Sequence, residues 1–225
     1  MDLVAAFRKK LREWTKTSAV DGRPFVLTHS VIHWLRTPIT DNALYIHSIC
    51  STVSPTAVHL SSHIDVDRNP MILCILFEMN RVDVMEDMLT HEVTDDTLPV
   101  SMEFLHDLFR HKIDKVSQDG MASQFYDLQW RYCPARFKLL GRHRFTSETV
   151  LPISRRVHIA TGSTACVWQI AIPEEFLDRD IAQSLAGAMF NDAENGIESV
   201  ISARFLHYEP QGVFIAPRVE IFMLV

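Results

Sequence analysis

Apolar and polar residues follow a helical period along the first 128 positions of this chain, and the period changes after them. Leu3, Phe7, Leu11 and Trp14 recur four, four and three positions apart, which sets them on one stripe of a helix with Arg8, Lys9, Arg12 and Glu13 opposite. Asp21-Gly22-Arg23-Pro24 ends that helix in a turn. Thr28 stands where it can cap a second helix carrying Val31, Ile32 and Leu35, stopped before Pro38. Asp41 can cap a third with Leu44, Ile46 and Ile49, stopped before Ser54-Pro55. Met71–Leu89 follows Asn69-Pro70, opens with an unbroken apolar run to Phe77 and narrows to Met79, Val82, Met85, Met88 and Leu89. It reads as one long helix, buried at its start and amphipathic at its end. After the acidic turn Thr94–Pro99, a helix from Ser101 places Met102, Leu105, Phe109 and Ile113 on one side, and Ser117–Gly120 reads as a loop.

From Gln129 the runs become short and β-prone: 136–140, 149–153, 157–160 and 165–172, punctuated by Gly141-Arg142 and Gly162-Ser163. In the last run Cys166, Trp168, Ile170 and Ile172 share one strand face, fit for a core, and Ala165, Val167, Gln169 and Ala171 share the other. Residues 174–188 read as a helix, and 203–208 and 212–225 as two further strands. The expected fold class is therefore α+β, with a helical module over 1–128 and a small antiparallel β-rich module over 129–225.

Composition fits a folded protein. The 225 residues are 47% hydrophobic and 22% charged, enough for a buried core and unlike a disordered chain. A net charge of -6 carries no electrostatic footprint for nucleic acid. No run approaches the roughly 18–20 apolar residues of a membrane span. The start of the chain does not read as a secretory signal. The four cysteines, Cys50, Cys74, Cys133 and Cys166, are far apart, form no C-x-x-C pair and read as buried reduced thiols. Together these place the chain in the cytoplasm or nucleus.

Two clusters invite chemistry. His59, His63, Asp65 and Asp67 carry metal-ligand residue types, and a small metal-dependent enzyme is the remote reading they allow. Ser61-Ser62 and Asn69-Pro70 instead favour a polar connection, so no metal site is assigned. Residues 157–172 read as strand, Gly-Ser turn, strand. Set against the kinase glycine-rich pattern G-x-G-x-x-G-x-V with Val167 last, the glycine places hold Ala160, Gly162 and Ala165. Gly162-Ser163 reads first as an ordinary hairpin turn, whose amides can also meet a nucleotide phosphate. Trp130 and Trp168 read as core anchors.

The order of Arg23-Pro24-Phe25, the apolar run from Met71, Asp95–Pro99, Gln129-Trp130 with Pro134 and Phe137, 150–153, Ile159 with Gly162-Ser163, and Val167-Trp168 with Ile170 and Ile172 resembles the N-terminal region of fungal protein-kinase-domain proteins, over residues 20–172. The resemblance implies a helical leader followed by an incomplete kinase small lobe, with Gly162, Ser163 and Val167 in a degenerate nucleotide loop, binding ATP and magnesium only if the loop has kept that capacity. The chain departs from the family where chemistry is done. It has no V-A-I-K strand, H-R-D loop or D-F-G, and Lys138 is its last lysine. No catalytic residue is assigned. The implied protein is a pseudokinase acting through a protein partner. The alternative is the front part of a Ser/Thr kinase whose catalytic part lies outside this chain. Residues 173–225 read either as the rest of the lobe or as an unrelated tail or the product of an imperfect gene model.

Overall fold

The computed structural model describes residues 3–40, 43–46, 48–49, 69–110, 115–138, 145–161, 166–179, 189–192, 196–205 and 223–224. The fold is α+β. Its chain divides into two units, Met1–Thr15 with Val26–Cys133, and Lys16–Phe25 with Pro134–Val225.

The first unit is helical. Helix α1 (Leu3–Trp14) buries Phe7 and Leu11 on the expected stripe, while Lys10 pairs with Glu13 at 2.7 Å on the wet side. Strands β1 (Thr15–Thr17) and β2 (Pro24–Val26) pair where the chain passes between units. Helix α2 (Thr28–Leu35) begins at Thr28 instead of being capped by it: the N-cap is Leu27, and no side chain caps the end. Strands β3 (Pro38–Thr40) and β4 (Ala43–Leu44) pair antiparallel, so Leu44 lies in a strand just before the expected third helix, of which residues 45–46 and 48–49 are helical. Ile46 and Ile49 are buried, and Asp41 lies outside the described residues.

The expected long helix over 71–89 is broken. Helix α3 (Pro70–Met79) ends at Asn80, which adopts a left-handed backbone (φ 55°, ψ 37°) and donates to the Leu76 and Phe77 carbonyls. Asn tolerates that conformation better than most side chains, and the capped carbonyls stop the helix. A 3-10 turn (Val82–Val84) and helix α4 (Met85–Thr90) follow. Met79, Met85 and Met88 are buried in the core. Helix α5 (Met102–Phe109) starts where expected, with Ser101 as its N-cap and the Phe104 N–H donating to Ser101 Oγ at 3.2 Å, and buries Leu105, Leu108 and Phe109. Helix α6 (Lys115–Tyr132) absorbs Ser117–Gly120, expected as a loop, and passes through Gln129, where strand structure was expected to begin. Met121, Ala122, Phe125, Gln129 and Tyr132 make its buried stripe, with glutamine occupying a core position.

In the second unit, β5 (Arg155–Thr161) and β6 (Cys166–Pro173) form an antiparallel hairpin with a register shift between His158 and Ala160. The segment 149–153, expected as a strand, belongs to no strand, and Phe137 makes only an isolated parallel bridge to Leu177. The expected helix from 174 is a 3-10 turn over Glu174–Phe176; 180–188 lie outside the described residues. Strands β7 (Met189–Asp192), β8 (Gly196–Phe205) and β9 (Met223–Leu224) complete an antiparallel sheet ordered β5-β6-β8-β7, with β9 also on β8. Ile170, Ala171 and Ile172 are all buried, so the end of β6 is covered on both faces and not on the one face the alternation suggested. Phe25 meets Phe176 edge to face at 5.8 Å in this core.

Candidate functional site

Of the residues expected in a nucleotide loop, Gly162 and Ser163 lie outside the described residues, as do His59, His63, Asp65 and Asp67. Val167 stands in β6, paired with Ala160 on one side and Arg204 on the other. Among the described residues no group of three metal-ligand side chains comes together, and no helix is long and apolar enough to cross a membrane.

The hairpin does present a feature of another kind. Every residue of β5 is exposed. Its register places Arg156 opposite Ile170 and His158 opposite Trp168, so these four side chains share a face. The Arg156 guanidinium lies 4.3 Å from the centre of the Trp168 ring, and the His158 ring meets the same indole edge-on at 4.9 Å. Such cation and edge contacts to an indole hold all three groups in place. His158 Nε2 also shares a hydrogen bond with Thr161 Oγ1 at 2.8 Å. Trp168, expected as a core anchor, is thus a half-buried platform under a cation. Trp130 is half-buried too, edge-on to Tyr126 at 5.9 Å.

The residues that carried the family resemblance have structural work elsewhere. Asp95 accepts hydrogen bonds from the Met71 and Ile72 amides at 2.9 and 3.0 Å, and its own amide donates to Asn69 Oδ1 at 3.1 Å. It therefore satisfies the open amides at the start of α3, which Pro70 cannot extend. Burial pushes its carboxyl up to about 6, against the opposing pull of those two amides. Gln129 is fully buried and clasps the Val100 backbone, accepting from its amide at 2.8 Å and donating to its carbonyl at 2.9 Å. Arg23 donates from both terminal nitrogens to the Glu148 and Thr149 carbonyls at 2.7 Å, and from Nε to Asp21 at 2.7 Å. In the first unit Glu78 accepts from Tyr132 at 2.5 Å and from Arg131 at 2.9 Å, tying α3 to α6. Burial first, then the neighbouring Cys74 and Glu78, holds the Tyr132 phenol well above its ordinary value. The Cys133 thiol is pushed up to about 12 by burial and by the Asp95 charge, which keeps it protonated and a poor nucleophile.

No protein-family model matches the chain, and no curated protein or solved structure matches it.

The β5–β6 face could not be found from sequence, although Arg155-Arg156 and Trp168 are visible there. Which strand of a sheet is left at the edge depends on the pairing of β6 with β8, residues 30 or more positions apart in the chain at most of its length. The signal for Gln129 was available: it sits four residues after Phe125 and three before Tyr132, on an apolar helical stripe.

Proposed function

We propose that this chain is a kinase-like, non-catalytic protein that acts through protein contacts. The observation that carries the reading is the β5 strand, exposed along its whole length beside a strand whose end, Ile170–Ile172, is buried. An exposed strand of this kind is a surface for another chain, whereas phosphoryl transfer needs a lysine and magnesium-holding carboxylates brought to one phosphate site. The sequence supplies no lysine after Lys138 and neither of the two carboxylate motifs. The kinase part of the proposal rests on the order of sequence motifs ending in the degenerate loop around Gly162.

Purified chain incubated with magnesium and γ-labelled ATP, with casein or myelin basic protein as acceptor, is expected to transfer no phosphate to itself or to the acceptor. Transfer above background that disappears in a Gly162→Asp variant would overturn the proposal.

A further inference from the structure

The edge of β5 that faces away from β6 has a chemistry that selects its occupant. Strand β5 lies at the end of the sheet order, so its backbone is paired on one side. Among the described residues no backbone hydrogen bond reaches Arg155–Ala160 from outside the hairpin. Val157 is 39% exposed and Ile159 54%, two of the three large hydrophobic side chains exposed among the described residues. Beside them stand Arg155 and Arg156, which make no ion pair among those residues. The strand holds no carboxylate, so a chain of net charge -6 carries here a local positive strip followed by an apolar one.

Charged residues and bulges on an edge strand discourage indiscriminate pairing, and β5 has both. The same arginines that repel a basic or purely apolar strand attract one with carboxylates at the matching positions. We propose that β5 accepts an extended segment of a partner protein as an added antiparallel strand, with two adjacent acidic residues opposite Arg155 and Arg156 and β-branched residues opposite Val157 and Ile159. Main-chain hydrogen bonds then supply affinity, and the side-chain pairs supply register and choice of partner. Arg156 is already held against Trp168, so its guanidinium loses less freedom on pairing than a solvated arginine does. This inference rests on the protein-contact reading and adds the chemistry of the partner to it; phosphotransfer tests that reading separately.

The test uses the full chain and a labelled peptide, Thr-Val-Thr-Val-Glu-Glu with blocked ends, followed by fluorescence polarisation in about 0.1 M salt, where exposed charges still interact. A second peptide carries Lys-Lys in place of Glu-Glu. The acidic peptide is expected to bind at least about tenfold more tightly than the basic one, and to slow amide exchange within 155–161. In the double variant Arg155→Glu, Arg156→Glu the preference is expected to invert, a gain that a misfolded protein cannot produce. Equal affinity for the two peptides, no binding of the acidic one, or unchanged exchange in 155–161 would overturn the proposal. Protection of 155–161 that grows with protein concentration in the absence of peptide would overturn it in favour of a second copy of this chain.

Discussion

Replacing Gln129 by glutamate tests whether a buried amide holds the loop after Asp95–Pro99 to helix α6. The side chain is fully buried and makes two opposed bonds to one residue, accepting from the Val100 amide and donating to the Val100 carbonyl. Only a group with both an acceptor and a donor can do this. Leucine fills nearly the same volume but leaves both backbone groups unpaired. Each net hydrogen bond contributes about 1 kcal/mol and each stranded group costs about 1–3 kcal/mol, so Gln129→Leu is expected to cost about 3 kcal/mol. Glutamate keeps the acceptor, faces the carbonyl with a second oxygen, and places a charge in the core. Burial and the facing carbonyl both raise its folded-state value above the ordinary value of about 4.3. The deficit is therefore smallest below that ordinary value, where the protonated acid donates to the carbonyl. It grows by up to about 1.4 kcal/mol per pH unit as pH rises toward the raised folded value. Urea denaturation followed by tryptophan fluorescence at pH 4.5, 6 and 7.5, with the wild-type curve subtracted at each pH, measures this. A Gln129→Leu variant within about 0.5 kcal/mol of wild type, the range typical of uninvolved surface sites, or a Gln129→Glu deficit that stays flat with pH, would refute the reasoning.

Two further perturbations separate the other structural bonds. Asp95 has its folded value raised to about 6 from 3.8, so the stability it withholds is absent below the unfolded value and is incurred as pH rises through the folded one. Relative to Asp95→Asn, wild type is expected to gain roughly 2 kcal/mol between pH 7 and pH 4; a stability difference that does not change with pH in paired urea titrations would contradict this. Arg23→Lys keeps the charge but cannot reach both the Glu148 and Thr149 carbonyls with one ammonium, and is expected to cost about 1–2 kcal/mol and to speed proteolysis near 145–150. Unchanged denaturation and cleavage would show that the planar fork is not needed there.

Much of the helical unit was legible because its elements are short-range. The stripe of α1, the start of α5 at Ser101 and the apolar run that opens α3 each depend on side chains within a few positions of one another. The misreadings share a cause. Ser117–Gly120 has the composition of a loop but lies in a helix that buries Met121, Ala122, Phe125, Gln129 and Tyr132, and that burial outweighs a local preference of about 1 kcal/mol or less per residue. Asn80 looked like a polar residue inside a helix, and its left-handed conformation ends that helix.

The candidate surface divides in the same way. The hairpin itself was readable from two apolar-rich runs around Gly162-Ser163, since strand alternation and a turn are local properties. The residues available to a partner were not, because exposure of β5 is decided by where the rest of the sheet attaches. The pairing of β6 with β8 covers one strand and leaves the other at the edge. The sequence determined the α+β class, the helical stripes and the existence of the hairpin, all set by periodicity over a few residues. Tertiary structure alone decided that Asp95, Gln129 and Arg23 act as backbone clasps and that β5 stands at the end of the sheet order among the described residues, since each depends on groups brought together from distant parts of the chain.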